Sequence, residues 1–325
     1  MVLCCGEALI DLLPGRTASG EPCFVPRTGG SPFNVALALA RLGVPTAFFC
    51  RISEDFFGDK LVSRLEHERV DVSFIRRVAK PTTLAFIDLN ASNEPRYAFY
   101  FNDSADRSLT TDQLPPRLDN VECLQFGSIS LTMEPGATAL EALVAREADQ
   151  RVVSFDPNIR ATMIADKNAY LRRFEGWAHA STVIKLSAVD LEYLYPGQPC
   201  RRALDQLAAT AMTGPRTRPL LLVATLGESG SVAVLHHAGT SRSAEVSGFA
   251  VSVADTIGAG DTFHSGLLRW LQARQLLSFS GIASLGETDL GASLRYANAC
   301  AALTCTRNGA DPPTAREVDE FLTKS

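Results

Sequence analysis

The sequence predicts an α/β fold in which helices cover both faces of a mainly parallel central sheet. Apolar, β-branched runs alternate along the chain with segments of helical period, as in such sheets. The 325 residues are 46% hydrophobic and 21% charged, enough apolar surface for one large core. Two stretches, 15–28 and 82–101, break the alternation. We therefore expect a three-layer α/β/α domain with a small β-sheet lid.

Each predicted strand is a short apolar run between turn-forming residues, and each predicted helix repeats its apolar positions every three or four residues. The strands are expected at 3–9, 46–52, 121–126, 152–155, 182–186 and 220–225. The helices are expected at 32–42, 59–68, 135–148, 202–212, 261–271 and 290–304. Pro32 suits the first turn of its helix.

The lid is predicted from segments 12–28 and 82–103, inserted in a single domain that spans 1–325. Within it, 84–89 and 97–101 read as antiparallel strands joined by a turn at 90–93. Side chains alternate along a strand, so Phe99 and Phe101 should share one face and Tyr100 the other. We expect the lid to close over a ligand and to pair two subunits into a homodimer.

Composition excludes several classes of protein. The net charge is −5 and no basic run occurs, so nucleic acid is not an expected partner. No apolar stretch is long enough for a membrane span, and no basic segment precedes the first apolar run, so a cytoplasmic protein is expected. The eight cysteines form no CxxC pair, which predicts buried, reduced thiols; Cys4 and Cys5 should point to opposite faces of a strand.

The strongest motif is DTIGAGD at 255–261, which leads directly into a predicted helix. Gly258 and Gly260 can adopt positive φ and let the backbone approach a ligand closely. The free N–H groups of a helix start favour an anion, and phosphate is the natural one. Asp261 could accept a proton from an attacking hydroxyl. The alternative is an ordinary N-terminal cap.

A second group of polar residues suits a sugar. In GGSPFNVA at 29–36, Gly29 and Gly30 allow close backbone approach, and Asn34 offers a donor and acceptors from the helix start. Asp11 follows the first predicted strand, at the sheet edge where ligands bind in α/β proteins. Taken alone, each has a structural alternative: a glycine turn before an Ala-rich helix, and a surface carboxylate.

Together these motifs resemble the PfkB, or ribokinase-like, family of carbohydrate kinases. The segment 29–43 is similar to the first signature of that family and 255–261 to the second, in the family's order. The resemblance implies a ribokinase-like fold, ATP and Mg²⁺ as cofactors, and phosphorylation of a sugar hydroxymethyl group.

The resemblance also implies roles for individual residues. Asp261 is the expected catalytic base, with Gly258, Ala259 and Gly260 as anion hole. Asp11, Gly29, Gly30 and Asn34 are expected at the sugar. The remaining implied contacts are Arg160 of the DPNIR segment with phosphate or sugar, Lys185 with phosphate, and Thr225, Gly227, Gly230 and Asn298 with the nucleotide.

Two metal sites are implied as well. Members of the family often carry an NxxE motif linked to Mg²⁺, and here the aligned segment is SAVD, so Asp190 is expected to act on Mg²⁺ through water. A monovalent cation, K⁺, is expected beside the anion hole. Its implied ligands are the Asp255 carboxylate and the carbonyls of Ile257, Thr304, Arg307 and Gly309.

The segments GEALIDLLP, GGSPFNVA and DPNIR together resemble fructokinases, so fructose is the expected substrate. In the lid, Tyr100 and Asn102 are expected near the sugar. The similar 2-keto-3-deoxygluconate kinases typically carry an Arg where Asn102 stands, to hold the substrate carboxylate. Asp103 would add a negative neighbour, which favours a neutral sugar.

Three alternatives remain open at this point. The chain could be a 2-keto-3-deoxygluconate kinase, or another sugar or nucleoside kinase of the family. It could be a catalytically silent sugar- or nucleotide-binding protein on the same fold; such a protein would be expected to lose Asp261 or the anion-hole glycines, which are present. A dehydrogenase is disfavoured because no GxGxxG follows the first strand.

Overall fold

The computed structural model describes residues 1–89, 95–214 and 216–324. Its strands are β1 (Val2–Cys5), β2 (Leu9–Arg16), β3 (Pro22–Gly29), β4 (Thr46–Phe49), β5 (Arg51–Ser53), β6 (Arg76–Val78), β7 (Thr83–Leu89), β8 (Pro95–Tyr100), β9 (Cys123–Gly127), β10 (Val152–Asp156), β11 (Val183–Ser187), β12 (Leu220–Thr225), β13 (Ser231–His237) and β14 (Thr240–Val246). Its α-helices are α1 (Ser31–Arg41), α2 (Phe56–His67), α3 (Gly136–Glu147), α4 (Lys167–Ala180), α5 (Ala188–Leu194), α6 (Cys200–Ala211), α7 (Ala259–Ala273), α8 (Phe279–Ser284), α9 (Glu287–Cys305) and α10 (Ala315–Lys324).

Eight strands form the central sheet in the order β14-β13-β12-β11-β10-β9-β1-β4. Six neighbouring strands of this sheet pair in parallel: β4, β1, β9, β10, β11 and β12. The β13–β14 hairpin extends the sheet beyond β12 with antiparallel pairs. The mainly parallel sheet is thus confirmed, while the hairpin was not predicted. Parallel strands all end at one edge of the sheet, and that edge is where a ligand site is expected.

Helices cover both faces of this sheet. The alternating side chains of β1 show the division: Val2 and Cys4 lie in one core with α1, α2, α7, α8 and α9, and Leu3 and Cys5 lie in the other with α3 to α6. The three-layer prediction and the opposite directions of Cys4 and Cys5 are both confirmed. None of the helices described is both long and apolar enough to cross a membrane.

The first predicted strand, 3–9, is in fact two strands in two sheets, so that prediction was wrong. The chain leaves the central sheet at Gly6, whose φ is +150°, and a Cβ there would lie 2.5 Å from the ring of Pro32. It then enters β2 in the second sheet. The predicted strand 46–52 is likewise divided, with β4 in the central sheet and β5 paired with β6. In each case the apolar residues on the two sides of the break read as one strand.

A small second sheet, with strand order β3-β2-β7-β8, forms in the part of the chain where the lid is predicted, and we keep the name lid for it. The pairs β2–β3 and β7–β8 are antiparallel, and β2–β7 is parallel. The predicted turn at 90–93 lies outside the described residues. Phe99 and Phe101 pack with the buried cluster of Leu9 and Ala85, on the inner face.

Tyr100 points to the outer face of the lid, as the alternation predicts. It meets Phe86 edge-on, with ring centroids 5.3 Å apart, and Phe86 meets Phe24 in the same way at 5.1 Å. Tyr100 is 64% exposed and Phe24 51% exposed. The lid therefore has an apolar inner face and a row of aromatic rings outside.

Candidate active site

The predicted site residues come from several segments that meet at the carboxyl edge of the central sheet. Asp156 ends β10, Ser187 ends β11 and Thr225 ends β12. The first turns of α1 and α7 face each other there, because Ser31 and Asn34 of α1 both hydrogen-bond to Asp261 of α7. Residues far apart in the sequence thus form one site.

Asp261 lies at the centre of this site and is only 7% exposed. Its carboxylate accepts hydrogen bonds from Ser31 Oγ at 2.6 Å and from Asn34 Nδ2 at 2.9 Å. Burial raises the pKa of Asp261 to about 6, although these two hydrogen bonds act against the rise. The carboxylate is therefore ionised at neutral pH and still basic enough to take a proton.

The glycine loop before α7 has the geometry of an anion hole. Gly258 adopts the left-handed conformation, with φ of 77°, and a Cβ there would lie 2.7 Å from Ala310 Cβ. Ala259 begins the helix, and the amides of Gly260 and Asp261 donate no hydrogen bond within the described chain. These free donors and the helix dipole favour a phosphate at this position.

Lys185 lies directly beneath the loop. A Cβ on Gly260 would come within 3.0 Å of Lys185 Nζ, which also forms a 2.9 Å ion pair with Asp156. Burial opposes the charged form, but the Asp156 carboxylate outweighs it, and the pKa of Lys185 is raised. A permanent ammonium charge thus supports the predicted phosphate position from below.

Asp11 lies on the inner face of the lid root. It pairs across β2–β7 with Ala85, which pairs with Phe99, so its carboxylate shares their face. A Cβ on Gly29 would lie 2.1 Å from Asp11 Oδ2, so only glycine leaves room for this carboxylate. Burial raises the pKa of Asp11 to about 7; Arg160 opposes the rise and Asp261 adds to it. The charges of Arg160 and Asp261 thus both act on the Asp11 carboxyl group.

The turn before α1 is held by a buried carboxylate. Gly30 has φ of 104°, and a Cβ there would lie 2.7 Å from the carbonyl oxygen of Glu7. Glu7 accepts hydrogen bonds from Ser31 N and Ser130 N, which fixes the start of α1. Asn34 then projects into the site with Oδ1 buried and without a partner among the described residues. An unpaired buried acceptor is ready for a ligand hydroxyl.

Arg160 follows β10 in the DPNIR segment. Its Nη1 donates to Asn158 Oδ1 at 2.7 Å, which holds the side chain back along its own loop. The guanidinium is partly buried and retains unused donors for an anion.

The two predicted sugar contacts in the lid are placed less favourably. Tyr100 is on the outer face, opposite Asp11, so this arrangement lends its predicted sugar contact no support. Asn102 is exposed in the turn after β8. Its neighbour Asp103 pairs with Lys80, so the negative neighbour expected from the sequence is balanced by a positive charge.

The predicted nucleotide segment follows β12. Thr225 Oγ1 donates to Leu186 O, and Gly227 and Gly230 take positive φ values of 61° and 100° in the turn to β13. Asn298 of α9 is buried and uses its whole amide within the protein: it accepts from Ser231 Oγ and donates to the carbonyls of Val246 and Ser247. Asn298 thus shapes the end of the hairpin.

Asp190 is buried at the start of α5. Its Oδ2 accepts from the amide and hydroxyl of Ser187, and its Oδ1 accepts from the amide of Ile159. Oδ1 retains one lone pair. Among the described residues no group of three His, Cys, Asp or Glu side chains could hold a metal ion. A metal here would depend on phosphate and water for most of its ligands.

Asp255 joins the two loops where the monovalent cation is predicted. Its carboxylate accepts from Ile257 N at 3.0 Å and from Gly309 N at 2.8 Å. The Thr304 and Gly309 carbonyls accept backbone hydrogen bonds, from Arg307 N and Asp311 N. The carbonyls of Ile257 and Arg307 accept none within the described chain, so they remain available to a cation.

Sequence reasoning missed several residues that the structure places in the site. Ser31 binds Asp261, Glu7 anchors α1, and Asp156 holds Lys185. His264, one turn beyond Asp261, lies 3.9 Å from Asp156 and hydrogen-bonds Ser154 Oγ; burial lowers its pKa to about 3. Ser31, Glu7 and Asp156 lie within the sequence motifs described above, and their presence in those motifs was the signal that could have identified them.

Comparisons with known proteins agree with this geometry. Residues 1–316 match the sequence profile of the pfkB family of carbohydrate kinases. The fructokinase of Rhizobium leguminosarum bv. trifolii is 40% identical over 312 residues, which cover 96% of this chain and 87% of that protein. Two solved structures superpose on nearly the whole chain and confirm the ribokinase-like fold expected from the sequence.

The fructokinase of Xylella fastidiosa, solved with bound ATP, superposes with a TM-score of 0.84 at 27% identity, covering 99% of this chain and 98% of that chain. A double mutant of the fructokinase from Vibrio cholerae O395, in a form with fructose, ADP and potassium ion bound, superposes with a TM-score of 0.81. It is 28% identical, and the match covers 99% of this chain and 97% of that chain.

Proposed function

The chain belongs to the pfkB family of carbohydrate kinases, and from this premise we propose that it transfers the γ-phosphoryl group of ATP to a hydroxymethyl group of fructose. The observation that carries the proposal is the position of Asp261. This buried carboxylate lies at the start of α7, beside two free amides and within hydrogen-bond reach of Asn34. Base, anion hole and sugar contact thus adjoin one another.

Asp261 acts as the general base in this mechanism. A hydroxymethyl oxygen held against its carboxylate gives up its proton as the oxygen attacks phosphorus, and the β-phosphate oxygen of ADP leaves with the bond electrons. A pKa of about 6 keeps the base ionised at neutral pH. Ser31 and Asn34 hold the carboxylate in place for this step.

The transferred phosphate carries negative charge that the protein must stabilise. The amides of Gly260 and Asp261 and the ammonium of Lys185 surround its proposed position, with Arg160 on the sugar side. Because these groups are fixed before the substrates bind, little reorganisation is needed during the reaction. Thr225, Gly227 and Gly230 would then line the nucleotide, with Asn298 shaping that region.

The sugar is proposed to bind between Asp11 and Asn34, with Gly29 and Gly30 leaving room for it. Asp11 accepts sugar hydroxyls, and the unpaired Oδ1 of Asn34 accepts another. Fructose is favoured because the relatives described above are fructokinases and because the lid carries Asn102 in place of a carboxylate-binding Arg. The lid would close over the sugar from its inner face.

Two metal ions complete the proposal. Mg²⁺ would arrive with the nucleotide, and the one free lone pair of Asp190 Oδ1 fits a metal-bound water. Mg²⁺ supplies charge neutralisation for the phosphates when bound. A potassium ion would lie between the loops joined by Asp255, where the Ile257 and Arg307 carbonyls are free and Thr304 and Gly309 adjoin them.

We also propose that two subunits pair through the outer face of the lid, in the cytoplasm. Phe24, Phe86 and Tyr100 form a contiguous aromatic row there, and such exposed apolar patches commonly mark protein contacts.

The reaction itself is tested by identifying its product. Purified protein incubated with fructose, ATP and Mg²⁺ should release ADP and form a sugar phosphate whose phosphorus couples to a hydroxymethyl carbon in the NMR spectrum. The Asp261→Asn variant is the control. A phosphate on a ring hydroxyl, or ADP release that does not depend on the sugar, would contradict the proposal.

A further inference from the structure

A cavity of about 340 Å³ lies between α7, α9 and α10, away from the site described above. It is at the other end of α7 from Asp261, roughly 12 Å along the helix axis. We call it the arginine groove. The residues that define it are Arg269 and Trp270 of α7, Arg274 just beyond α7, Arg295 and Tyr296 of α9, and Asp319 of α10.

The side chains of the three arginines of this groove form no hydrogen bond or ion pair with any described residue. Arg274 instead lies over the ring of Trp270, 4.1 Å from its centroid, and Arg295 lies over Phe249 at 5.1 Å. Such cation–π contacts hold the two guanidinium groups beside the rings without using their N–H groups in hydrogen bonds to the described residues. Free edges are the part of a guanidinium that binds oxyanions in a bidentate manner.

Arg269 supplies an independent observation. Its Nε is buried and has no hydrogen-bond partner among the described residues. A buried donor without an acceptor is destabilising, and buried protein donors usually have a partner. The neighbouring acceptor side chain, Asp319, is exposed and does not reach it. The missing acceptor is therefore expected to come from a bound molecule.

The charge of the groove indicates which molecule that is. Three guanidinium groups face one carboxylate, a local charge of +3 − 1 = +2, in a chain whose net charge is −5. A monocarboxylate would leave half of this charge unmatched, whereas a phosphate dianion balances it and offers enough oxygens for three guanidinium edges.

We propose that the arginine groove is a second anion site, which binds a phosphate group as inorganic phosphate or as a phosphate monoester. The volume accommodates a small phosphorylated metabolite. Phosphate bound here would accept from Arg269 Nε and from the free edges of Arg274 and Arg295, while the Trp270 ring forms the apolar wall.

Trp270 provides the measurement. It is one of two tryptophans, and the other, Trp177, is buried in the opposite helix layer. Tryptophan fluorescence is titrated with inorganic phosphate and with glycerol 2-phosphate, at an ionic strength held constant with chloride. The variants are Arg269→Gln and Arg295→Gln. The matched control is Arg202→Gln, an exposed, unpaired arginine of α6 in the other layer.

We expect a saturable signal that Trp270→Phe abolishes. Kd should rise about tenfold or more in Arg269→Gln and Arg295→Gln, because each loses a charge-assisted contact, and should be unchanged in Arg202→Gln.

Unchanged kinase activity without added phosphate shows that the variants are folded. If Arg269→Gln does not fold, the exposed Arg295 carries the test alone. Tighter binding of the monoester than of phosphate would identify monoesters as the ligand, and the reverse would identify free phosphate.

Three results would overturn the proposal. The first is no saturable signal with either probe. The second is equal Kd values in the groove variants and in Arg202→Gln, which would place the phosphate elsewhere, such as the anion hole. The third is binding of a glutamate-rich peptide without binding of phosphate, which would identify the groove as a protein contact.

Discussion

At the scale of single residues, the site owes its chemistry to carboxylates that the fold buries. Burial raises the pKa of Asp261 to about 6 and those of Asp11 and Glu7 to about 7. Neighbouring donors oppose the rise, such as Ser31 and Asn34 for Asp261 and the amide of Ser31 for Glu7, and Asp261 remains mostly ionised at neutral pH. A base of raised pKa is what a proton-accepting step at neutral pH requires.

Replacing the proposed base tests this directly. Asp261→Asn should lower kcat by about 100-fold or more, because the amide cannot accept the hydroxyl proton. Binding of ATP and the circular dichroism spectrum should be retained. Asp112→Asn, a change of the same kind at an exposed position, is the control and should retain full activity. Near-normal turnover in a folded Asp261→Asn variant would remove Asp261 from the mechanism.

The pH dependence of kcat/KM for the sugar should show both carboxylates of the free enzyme. Each pKa is raised, so each group gains its proton as pH falls through about 7 for Asp11 and about 6 for Asp261. Activity should therefore be constant well above pH 7, fall by up to about tenfold per pH unit between 7 and 6, and fall by up to about a hundredfold per pH unit below 6, where both groups protonate. Asp11→Asn should remove the limb near 7 and leave that near 6. A flat profile down to pH 5 would contradict both assignments.

Asn102 allows a test of the choice between substrates. Asn102→Arg should raise kcat/KM for 2-keto-3-deoxygluconate relative to fructose by about tenfold, since a guanidinium can pair with the carboxylate of the acid. Asn102→Gln, which changes size without charge, is the control. An unchanged ratio would show that Asn102 does not face the sugar.

At the scale of elements, the buried strands and the amphipathic helices were predictable and the breaks were not. Strand β12 is an apolar run up to its final threonine, so local sequence suffices to predict it. The division at Gly6 depends on Pro32, far along the chain, which no local pattern contains. The edge strand β14 is half-exposed and polar, so it carries little strand signal. Helix α4 was overlooked although Tyr170, Phe174 and Trp177 recur at helical spacing.

The same contrast holds for the candidate site. The glycines and Asp261 stand in contiguous motifs and could be found from sequence alone. The contacts from Ser31 to Asp261 and from Asp156 to Lys185 join distant segments, so only the fold reveals them. The alternation of side chains predicts only that Tyr100 lies on the opposite face from Phe99 and Phe101. Which of the two faces is turned toward the site depends on how β8 pairs with β7, and the sequence does not give that register.

The lid gives a prediction about assembly. The double variant Phe24→Glu/Tyr100→Glu should weaken self-association at least about tenfold, because four buried charges in a symmetric contact repel one another. Sedimentation velocity over a range of protein concentrations measures the dissociation constant of the dimer. Met212→Glu, an exposed apolar residue of the opposite layer, is the control. A wild-type protein that is monomeric at all concentrations would remove the dimer from the account.

At the scale of the whole molecule, the three-layer fold brings the proposed phosphate site and the second sheet together at the carboxyl edge of the central sheet. Helix α7 carries Asp261 near one end and Arg269 and Trp270 near the other, so both proposed anion sites lie on one helix. The central claim is that this arrangement serves phosphoryl transfer from ATP to fructose.

The most direct test of that claim is kcat/KM, measured by ADP release, for fructose, ribose, adenosine and 2-keto-3-deoxygluconate under identical conditions. A site built to hydrogen-bond particular hydroxyls discriminates strongly, because a mismatched substrate leaves its buried polar groups unpaired. We predict that fructose exceeds each of the others by at least about tenfold. A higher value for the keto-deoxy acid or for a nucleoside would contradict the substrate assignment, and no turnover of any of the four would contradict the kinase itself.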